Sequence, residues 1–387
     1  MVRKILLVEA LVLLALALGV KFWLPGFIES QMNIVESHPA WVISAEAERL
    51  HRSIPVADLH ADPLLWERDW LVASDRGHTD LPRMRAGGVA LQVLTAVTKS
   101  PSGQNYESNA SDSDTITYLA MAQLWPMRTW NSPFERALHQ SERLADWDRR
   151  AGEAFRIIRD RKDLARLLDD RRGGSQAVGG IFGVEGAHAL DGDLANLARL
   201  DAAGLRVVGL THFFDNRLGG SLHGLSGEGL TDFGRQVVAE AKRRGMIIDV
   251  AHASPRMVEE VLELGPRPVI LSHGGFKGIC DSPRNLEDSL MVEIARHGGL
   301  IGLGFWKGAV CDYSPEGVVA AIRYGIDLVG VDHIALGSDY DGATWVVFDV
   351  GELAVLTQAM LDANFSEEEI RKVMGENAVR FFLDNLP

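Results

Sequence analysis

The sequence predicts an α/β fold, a (β/α)₈ TIM barrel preceded by an N-terminal hydrophobic anchor helix. Short apolar runs rich in β-forming residues alternate with helical stretches, which is typical of parallel strands covered on both faces. There are eight such runs, the strand number of a closed barrel. The predicted strands are Pro55–Asp62, Val89–Val97, Val178–Glu185, Leu205–His212, Met246–His252, Pro268–His273, Leu300–Phe305 and His333–Asp339.

The helices between these strands have recognisable ends. Ser254 and Ser314 each precede a proline, which places an N-cap residue ahead of a first-turn proline. Ser366 and Glu369 have the spacing of a capping box and open the last helix. Glycines stand where helices should stop before the next strand, at Gly204, Gly245 and Gly265.

The barrel domain is expected to span residues 54–387, after a stalk or lead-in at residues 27–53. Residues 98–150 interrupt the alternation and are rich in Ser, Asn and Asp, then in Trp, Met and Arg. We expect them to form an insertion after the second strand, a loop followed by a helix that lies over the barrel mouth. With 387 residues, 47% hydrophobic and 24% charged, the composition is that of an ordinary globular protein.

Residues 1–26 predict a signal anchor. Arg3 and Lys4 precede an apolar run over residues 5–24, and roughly 20 apolar residues can span a bilayer. The basic flank would leave the catalytic domain outside the cytoplasm, in the periplasm or the extracellular space. A cleaved signal peptide, which would release a secreted protein, and a buried helix of the domain remain alternatives.

Composition excludes some partners and chemistries. The net charge of −14 argues against nucleic acid, because phosphate binding needs clustered lysine and arginine. The glycines from Gly302 to Gly308 do not have the spacing of a dinucleotide fingerprint, and no serine lies in a nucleophile elbow. Cys280 and Cys311 can form a disulfide in an exported domain or remain two buried thiols.

Seven ionisable residues stand at the ends of six predicted strands, and they are His60, Asp62, Glu185, His212, His252, His273 and Asp339. Such strand ends meet at one face of a barrel. A lone strand histidine is usually a satisfied core or surface residue, and Asp339 alone can belong to an Asp/Gly turn. The joint placement favours a metal site, because leaving so many buried polar groups unpaired is costly. The histidines outside the strands are expected to be solvated, at His78, His139, His188, His223 and His297.

The ligand types indicate two metal ions. His60 and Asp62 point to the same side, since residues i and i+2 of a strand share a face. Imidazole nitrogen and carboxylate oxygen suit Zn²⁺. His252 and His273, on neighbouring strands, can hold a second ion, and Glu185 lies between the two pairs in strand order, where it can bridge both. Two neighbouring ions can turn a bridging water into hydroxide near neutral pH.

Taken together, the polar segments resemble the membrane dipeptidase (renal dipeptidase, peptidase M19) family within the amidohydrolase-like metal-dependent hydrolases. The matching segments run in order from about residue 50 to the C-terminus, and they are residues 56–62, 183–186, 210–212, 249–252, 271–273, 284–285 and 337–342. The first segment departs from the usual family form, because Leu59 and Ala61 replace the glycine and asparagine beside the ligands.

The resemblance implies a binuclear zinc-dependent dipeptidase that hydrolyses the amide bond of small dipeptides through a metal-bridging hydroxide. His60 and Asp62 would bind one zinc ion, His252 and His273 the other, and Glu185 would bridge the two.

Further roles follow from the same resemblance. His212 would polarise the scissile carbonyl or stabilise the tetrahedral intermediate, and Asp339 would pass the proton of the attacking water to the leaving amine. Arg284, with Asn285 beside it, would hold the substrate carboxylate, although a surface arginine is the alternative. A disulfide between the two cysteines would match the pairing in mammalian members of the family.

Two other functions stay open. One is another metal-dependent hydrolase on the same barrel, acting on a β-lactam, lactone, N-acyl amino acid or phosphoester. The other is a membrane-anchored binding protein with a structural metal site, although structural sites rarely keep a spare acid such as Asp339. A homodimer is compatible with the sequence.

Overall fold

Eight parallel strands form the centre of the molecule in the computed structural model, which describes residues 23–265 and 268–387 together with Leu6, Glu9, Gly19 and Lys21. The strands, labelled β1 to β8, are Val56–Ala61, Val89–Val97, Val178–Glu185, Leu205–Gly209, Ile247–Asp249, Ile270–Gly274, Leu300–Leu303 and Ile334–Leu336. They pair in chain order, and β8 pairs back with β1 through Leu336 and Asp58. The predicted (β/α)₈ barrel is therefore confirmed.

Helices surround this ring. Their bounds are 23–32, Ala45–Ser53, Leu81–Ala86, Thr115–Ala122, Pro133–Ala151, Arg161–Arg172, Ala195–Ala202, Asp232–Arg243, Pro255–Glu263, Asp288–Arg296, Lys307–Val310, Pro315–Val329, Ala354–Asp362, Glu367–Arg371 and Asn377–Asn385. A π-helical turn, Lys372–Glu376, joins the last two. Three short strands lie outside the barrel: Phe155–Ile157 pairs with the start of β3, and Ile34–Val35 pairs with Trp345–Val346.

The predicted helix ends are confirmed. The hydroxyl groups of Ser254, Ser314 and Ser366 each accept a hydrogen bond from the backbone of the helix that follows. Ser366 and Glu369 form the reciprocal capping box. The three predicted stop glycines all have positive φ just beyond a helix, at Gly204, Gly245 and Gly265.

Several strands end earlier than predicted. β4, β5 and β8 stop three residues before His212, His252 and Asp339, which therefore lie in the loops after the strands. His252 and Asp339 have φ angles of 60° and 59°, outside the extended region, so the hydrogen-bonded ladder cannot include them. The apolar pattern continues through these loops because they are buried. An apolar run alone does not distinguish a buried loop from a buried strand, so the predicted strands are too long.

An apolar layer lies beneath the polar residues of the mouth. One buried cluster contains residues from every strand, among them Leu59, Ile181 and Ala335, together with Phe382 of the C-terminal helix. In each of the six strands that lead to a polar residue of the mouth, these apolar residues come first. The polar side chains therefore stand above a packed apolar floor.

The predicted anchor, residues 1–26, lies mostly outside the described part of the chain. Within the described part, no helix has both the length and the apolar character needed to span a membrane. Residues 23–32 are helical, and Ile28 packs against a buried cluster that contains Trp66 and Leu119. This segment therefore contacts the barrel mouth and the residues inserted after β2.

Candidate active site

The seven ionisable residues predicted at the strand ends meet at the barrel mouth, where they form what we call the mouth cluster. Glu185 lies at its centre. The Glu185 Oε1 atom is 3.1 Å from His252 Nε2 and 3.3 Å from His273 Nε2. The same oxygen is 3.5 Å from His60 Nε2, and Oε2 is 3.2 Å from His212 Nε2. One carboxylate thus faces four imidazole rings.

The remaining acids lie beside His60. Its Nε2 atom is 3.3 Å from Asp62 Oδ2 and 3.9 Å from Asp339 Oδ1. Thr95, on β2, donates a hydrogen bond to Asp62 and so orients this carboxylate. The i and i+2 geometry predicted for the end of β1 therefore holds, although Asp62 lies one residue past the strand.

The spacing of these atoms fits bound metal ions. His252 Nε2 and His273 Nε2 are 2.9 Å apart, and both face Glu185 Oε1. Ligand atoms around a tetrahedral Zn²⁺ lie roughly 3.3 Å apart, given bonds of about 2.0 Å. Among the described residues, other triplets of potential ligand atoms also lie within 4.8 Å of one another, namely His60–Asp62–Glu185, Glu185–His212–His252 and His60–Asp249–His273.

The electrostatics of the mouth cluster indicate unbalanced negative charge. Burial lowers the pKa of His60, but Asp62, Glu185 and Asp339 outweigh it and raise that pKa to about 10. Burial, reinforced by the neighbouring acid Asp62, raises the pKa of Glu185 well above its usual value and that of Asp339 to about 8. Without a cation, the mouth cluster therefore binds protons. Divalent metal ions would displace these protons and supply the positive charge in their place.

The other imidazoles are neutral. Burial, together with the positive charge of Arg284, lowers the pKa of His252 and His273 well below the usual value. Burial also lowers the pKa of His212 to about 4. Neutral imidazole is the form that binds a metal ion, so these rings need lose no proton on metal binding.

Two aspartates that the sequence did not mark as site residues support the cluster. Asp58 accepts hydrogen bonds from the backbone N–H groups of His60 and Ser338, which ties the ends of β1 and β8 together. Asp249, the last residue of β5, accepts from the N–H groups of Ala251 and Ser272. Each is an acid inside an apolar strand, two or three residues before a histidine, and that pattern is the signal that could have found them.

A hydroxyl group links two of the rings. The Ser272 Oγ atom is 2.8 Å from His273 Nδ1 and 3.2 Å from His60 Nδ1. It can therefore bond the outer nitrogen of each ring, leaving both Nε2 atoms to face the centre. Such outer bonds orient imidazole ligands in metal sites.

Arg284 and its neighbour Asn285 have different environments. Arg284 is buried, donates a hydrogen bond of 2.8 Å to the His273 carbonyl oxygen, and lies 5.4 Å from the Trp306 ring. Asn285 instead donates to the backbone carbonyls of Cys280 and Ala309 and does not line the cavity described below. The Asn285 amide nitrogen therefore holds the loop, and contact between Asn285 and the substrate stays a prediction.

The loop that carries Arg284 is also fixed covalently. Cys280 and Cys311 form a disulfide between the segments that follow β6 and β7. This confirms the pairing implied by the family resemblance. The disulfide thus restrains the loop that carries Arg284, and the contact with Trp306 restrains the arginine side chain.

A cavity of about 530 Å³ opens at the mouth. Its lining includes Asp62, Glu185, His212, Arg284 and Asp339, as well as side chains from residues 98–122. His60 and His273 lie behind these groups, almost fully buried. Small-molecule sites commonly have cavities of about 300–1,000 Å³, so a short peptide fits.

Remote segments complete the mouth in ways that the sequence did not reveal. Tyr106, from the insertion, accepts a 2.8 Å hydrogen bond from Trp306, and its carbonyl oxygen lies 2.9 Å from His223 Nδ1. His223 stacks on Phe213 with ring centroids 4.8 Å apart. The prediction that His223 and His78 are solvated is wrong, since both are fully buried by segments distant in the chain.

Comparison with known proteins agrees with this geometry. Residues 44–384 match the model of the membrane dipeptidase family, peptidase family M19. The chain is similar to a metallopeptidase from Rhodobacter sphaeroides bound to a phosphinate mimic of the dipeptide L-Ala-D-Ala, with 26% identity and a TM-score of 0.69 over 86% of this chain and 99% of the other.

Two further structures are similar. Dipeptidase AC, a metallopeptidase of family M19, has 27% identity and a TM-score of 0.69 over 86% of this chain and 98% of its own. A probable dipeptidase from Pseudomonas aeruginosa shares the fold at 20% identity, with a TM-score of 0.72 over 87% of this chain and 96% of its own. The chain therefore belongs to the membrane dipeptidase family, peptidase family M19, whose members are metal-dependent hydrolases of peptide bonds.

Proposed function

We propose that the protein is a binuclear zinc-dependent dipeptidase that hydrolyses the amide bond of small dipeptides. The observation that carries the proposal is the Glu185 carboxylate, whose two oxygens face four imidazole Nε2 atoms in a cavity that also contains the buried Arg284. The similar Rhodobacter enzyme, bound to a dipeptide mimic, supports the substrate class.

Five residues would hold the metal ions. His60 and Asp62 would bind one ion, His252 and His273 the other, and Glu185 would bind both. Nitrogen and carboxylate ligands in this number suit zinc. When bound, two zinc ions would polarise the scissile carbonyl and lower the pKa of the attacking water.

Arg284 would bind the carboxylate of the substrate. Its guanidinium is already oriented by the hydrogen bond to the His273 carbonyl oxygen and by the Trp306 ring. An arginine held in one geometry loses little conformational freedom on binding and can form two parallel hydrogen bonds to a carboxylate. The substrate would therefore be fixed at its C-terminal end, with the preceding amide at the mouth cluster.

Two residues would act on the reacting atoms. Asp339 lines the cavity, and its raised pKa suits a group that accepts the proton of the attacking water and delivers it to the leaving amine. His212 also lines the cavity, and its Nε2 atom lies 3.2 Å from Glu185 Oε2, which favours the tautomer that carries the proton on Nε2, beside the reacting groups. There it would stabilise the charge that develops on the carbonyl oxygen.

The test combines metal analysis with hydrolysis of a small dipeptide library. We expect two zinc ions per chain and turnover of dipeptides with a free carboxylate. The His60→Ala variant should lose bound zinc and activity, while the control His297→Ala, on an exposed helix end, should keep both. Full activity of the His60→Ala variant would contradict the metal assignment.

A parallel panel separates the other hydrolase chemistries. N-acyl amino acids and a β-lactam lack the free α-amino group of a dipeptide, and a lactone and a phosphoester lack the amide, so all four should be poorer substrates than dipeptides. Faster turnover of any one of them would replace the dipeptidase proposal. Bound zinc with no turnover of any compound would favour a structural metal site.

The cellular location is also a proposal. We place the catalytic domain outside the cytoplasm, attached through the N-terminal segment, because the Cys280–Cys311 disulfide requires an oxidising compartment. Carbonate extraction of membranes and N-terminal sequencing of the mature protein would distinguish a retained anchor from a cleaved signal. Light scattering of the same preparation would show whether the enzyme is a homodimer.

A further inference from the structure

We infer that the enzyme prefers dipeptides whose amino-terminal residue has a bulky apolar side chain. The side chain would bind an apolar wall of the cavity, which consists of Leu24, Ile28, Trp66, Ile116, Leu119 and Ala122. This inference rests on the proposed function, because it assumes that Arg284 binds the carboxylate of the substrate.

The topology of the barrel places the wall opposite Arg284. Arg284 follows β6, whereas Trp66 follows β1 and the helix Thr115–Ala122 follows β2. In the closed ring β6 lies three strands from β1 and four from β2, so these segments face each other across the mouth. A dipeptide with its carboxylate on Arg284 and its amide beside Glu185 would therefore direct its amino-terminal side chain toward the wall.

The wall is formed before any substrate binds. Trp66 and Leu119 belong to a buried apolar cluster that also contains Trp125, and Ile28 packs against it. The Trp66 indole N–H donates a 2.7 Å hydrogen bond to the Asp341 carbonyl oxygen, so the indole presents only its apolar ring surface to a ligand. Little side-chain ordering would accompany binding, which favours affinity.

The six wall residues present no charged group to a side chain of the substrate. Four acids line the cavity within the described part of the chain: Asp62, Glu185 and Asp339 belong to the mouth cluster, and Asp341 is the fourth. Asp341 is already paired with Arg68 and accepts hydrogen bonds from His78 N–H and the Thr79 hydroxyl. A polar side chain packed against the six wall residues would lose its water without gaining a partner from them, whereas an apolar one would gain from burial.

The size of the cavity fits this assignment. Its volume of about 530 Å³ leaves room for a large side chain beside the dipeptide backbone. The wall also combines segments that are far apart in the chain, namely the helical residues 23–32 and the insertion after β2. Substrate preference would therefore be set by segments that supply no metal ligand.

The test is a series of dipeptides that share a C-terminal alanine and differ only at the amino-terminal residue. With zinc-loaded protein we expect kcat/KM for Leu-Ala and Phe-Ala to exceed that for Gly-Ala and Glu-Ala by at least about tenfold. Equal values across the series would overturn the inference and leave the proposed dipeptidase function intact. No hydrolysis of any dipeptide would overturn both.

Two pairs of variants test the wall itself. Ala122→Trp should fill the space and lower kcat/KM for Phe-Ala at least about tenfold more than it lowers kcat/KM for Gly-Ala. Ile28→Gln should act in the same direction. The matched controls are Met121→Trp and Phe27→Gln, which change exposed neighbours on the same helices that do not line the cavity. A preference for Phe-Ala that survives Ala122→Trp would overturn the assignment to this wall.

A binding measurement provides a readout independent of turnover. Calorimetry would compare two phosphinate dipeptide analogues that carry a methyl or a benzyl group at the amino-terminal position. We expect the benzyl analogue to bind at least about tenfold more tightly to the wild type and to lose this advantage in Ala122→Trp. Equal affinity for the two analogues in the wild type would contradict the inference.

Discussion

Two buried clusters of charged side chains lie at the same barrel mouth, and they differ in how their charges are satisfied. The second, which we call the bracing cluster, consists of Glu29, Arg68 and Asp341. Arg68 is an ion-pair partner of both acids, and Arg76 also bonds Glu29 at 2.8 Å. Burial raises the pKa of Asp341, but Arg68 together with the other neighbours of this carboxylate outweighs it, and the net shift is downward. Asp341 is therefore ionised and fully partnered by protein, whereas burial raises the pKa of Glu29 despite its bonds to Arg68 and Arg76.

The mouth cluster has the opposite character. Its acids face histidines and one another, and the pKa of His60 rises to about 10 while that of Asp339 rises to about 8. Buried acids with protein cations as partners hold segments together, whereas buried acids that share a space with neutral imidazoles need a cation from solution. The contrast distinguishes a structural cluster from a binding site without reference to family membership.

The bracing cluster also has a consequence for the site. It connects residues 23–32 through Glu29, the loop after β1 through Arg68 and the loop after β8 through Asp341. These segments border the cavity, because Ile28, Trp66 and Asp341 all line it. One cluster would thus perform the chemistry while the other holds the cavity in shape.

The largest expected effect comes from removing the central charge of the mouth cluster. Glu185→Gln should lower kcat/KM at least about a thousandfold, equivalent to roughly 4 kcal/mol, and should lower the zinc content. The metal-free variant should unfold at no lower temperature than metal-free wild type, because the replaced acid is buried and carries a raised pKa. The surface variant Glu263→Gln is the control. A metal-free Glu185→Gln protein that unfolds at a lower temperature than the metal-free wild type would contradict the distinction between the two clusters.

Breaking the bracing cluster should affect stability and spare metal binding. Arg68→Met removes the cation that two buried acids share and should cost about 3–5 kcal/mol in the free energy of unfolding. Arg52→Met, which removes an exposed pair with Glu48, should cost less than about 1 kcal/mol. Urea denaturation of the zinc-loaded proteins measures both, and equal costs for the two variants would refute the bracing role.

A smaller effect is expected at the edge of the mouth cluster. Arg284→Ala should raise KM for dipeptides roughly a hundredfold, equivalent to about 2.7 kcal/mol. The same variant should change KM little for a dipeptide with a C-terminal amide, since that substrate lacks the charge that Arg284 binds. An equal rise for both substrates would indicate that Arg284 acts through His273, whose carbonyl oxygen it bonds, and not through the substrate.

The last prediction concerns the pH dependence of zinc affinity. In metal-free protein at pH 7, His60 is protonated because its pKa is about 10, and zinc must displace this proton. Zinc affinity should therefore rise between pH 6 and pH 9, by up to about tenfold per pH unit for each proton released. Calorimetry in two buffers of different ionisation enthalpy should detect at least one released proton. Arg68→Met should release the same number, and zinc binding without proton release would contradict the mouth-cluster assignment.

Much of the barrel could be predicted because its signals are local. β2 and β3 have the predicted bounds, and the caps at Ser254, Ser314 and Ser366 act over three residues of chain. The seven ionisable residues of the mouth cluster could also be identified locally, because each stands at the end of a short apolar run. Once the strands are parallel and closed into a ring, their carboxyl ends meet at one face, and the cluster follows.

Other features were decided only by tertiary structure. His252 and Asp339 lie outside the strands that precede them, and the backbone at both has positive φ, a change that apolar periodicity cannot report. The Asn285 side chain donates hydrogen bonds to backbone carbonyl oxygens of its own loop and of a later segment. The burial of His223 depends on Tyr106, which lies more than a hundred residues away in the chain.

The amino-acid sequence by itself therefore determined the strand count, the helix ends and the residues capable of binding metal, since each depends on neighbours within a few positions. The tertiary structure alone decided which of the buried charges are paired, where the strands stop and which wall the substrate would meet. Those properties depend on distant segments that pack against one another, and burial and electrostatic environment exist only after that packing.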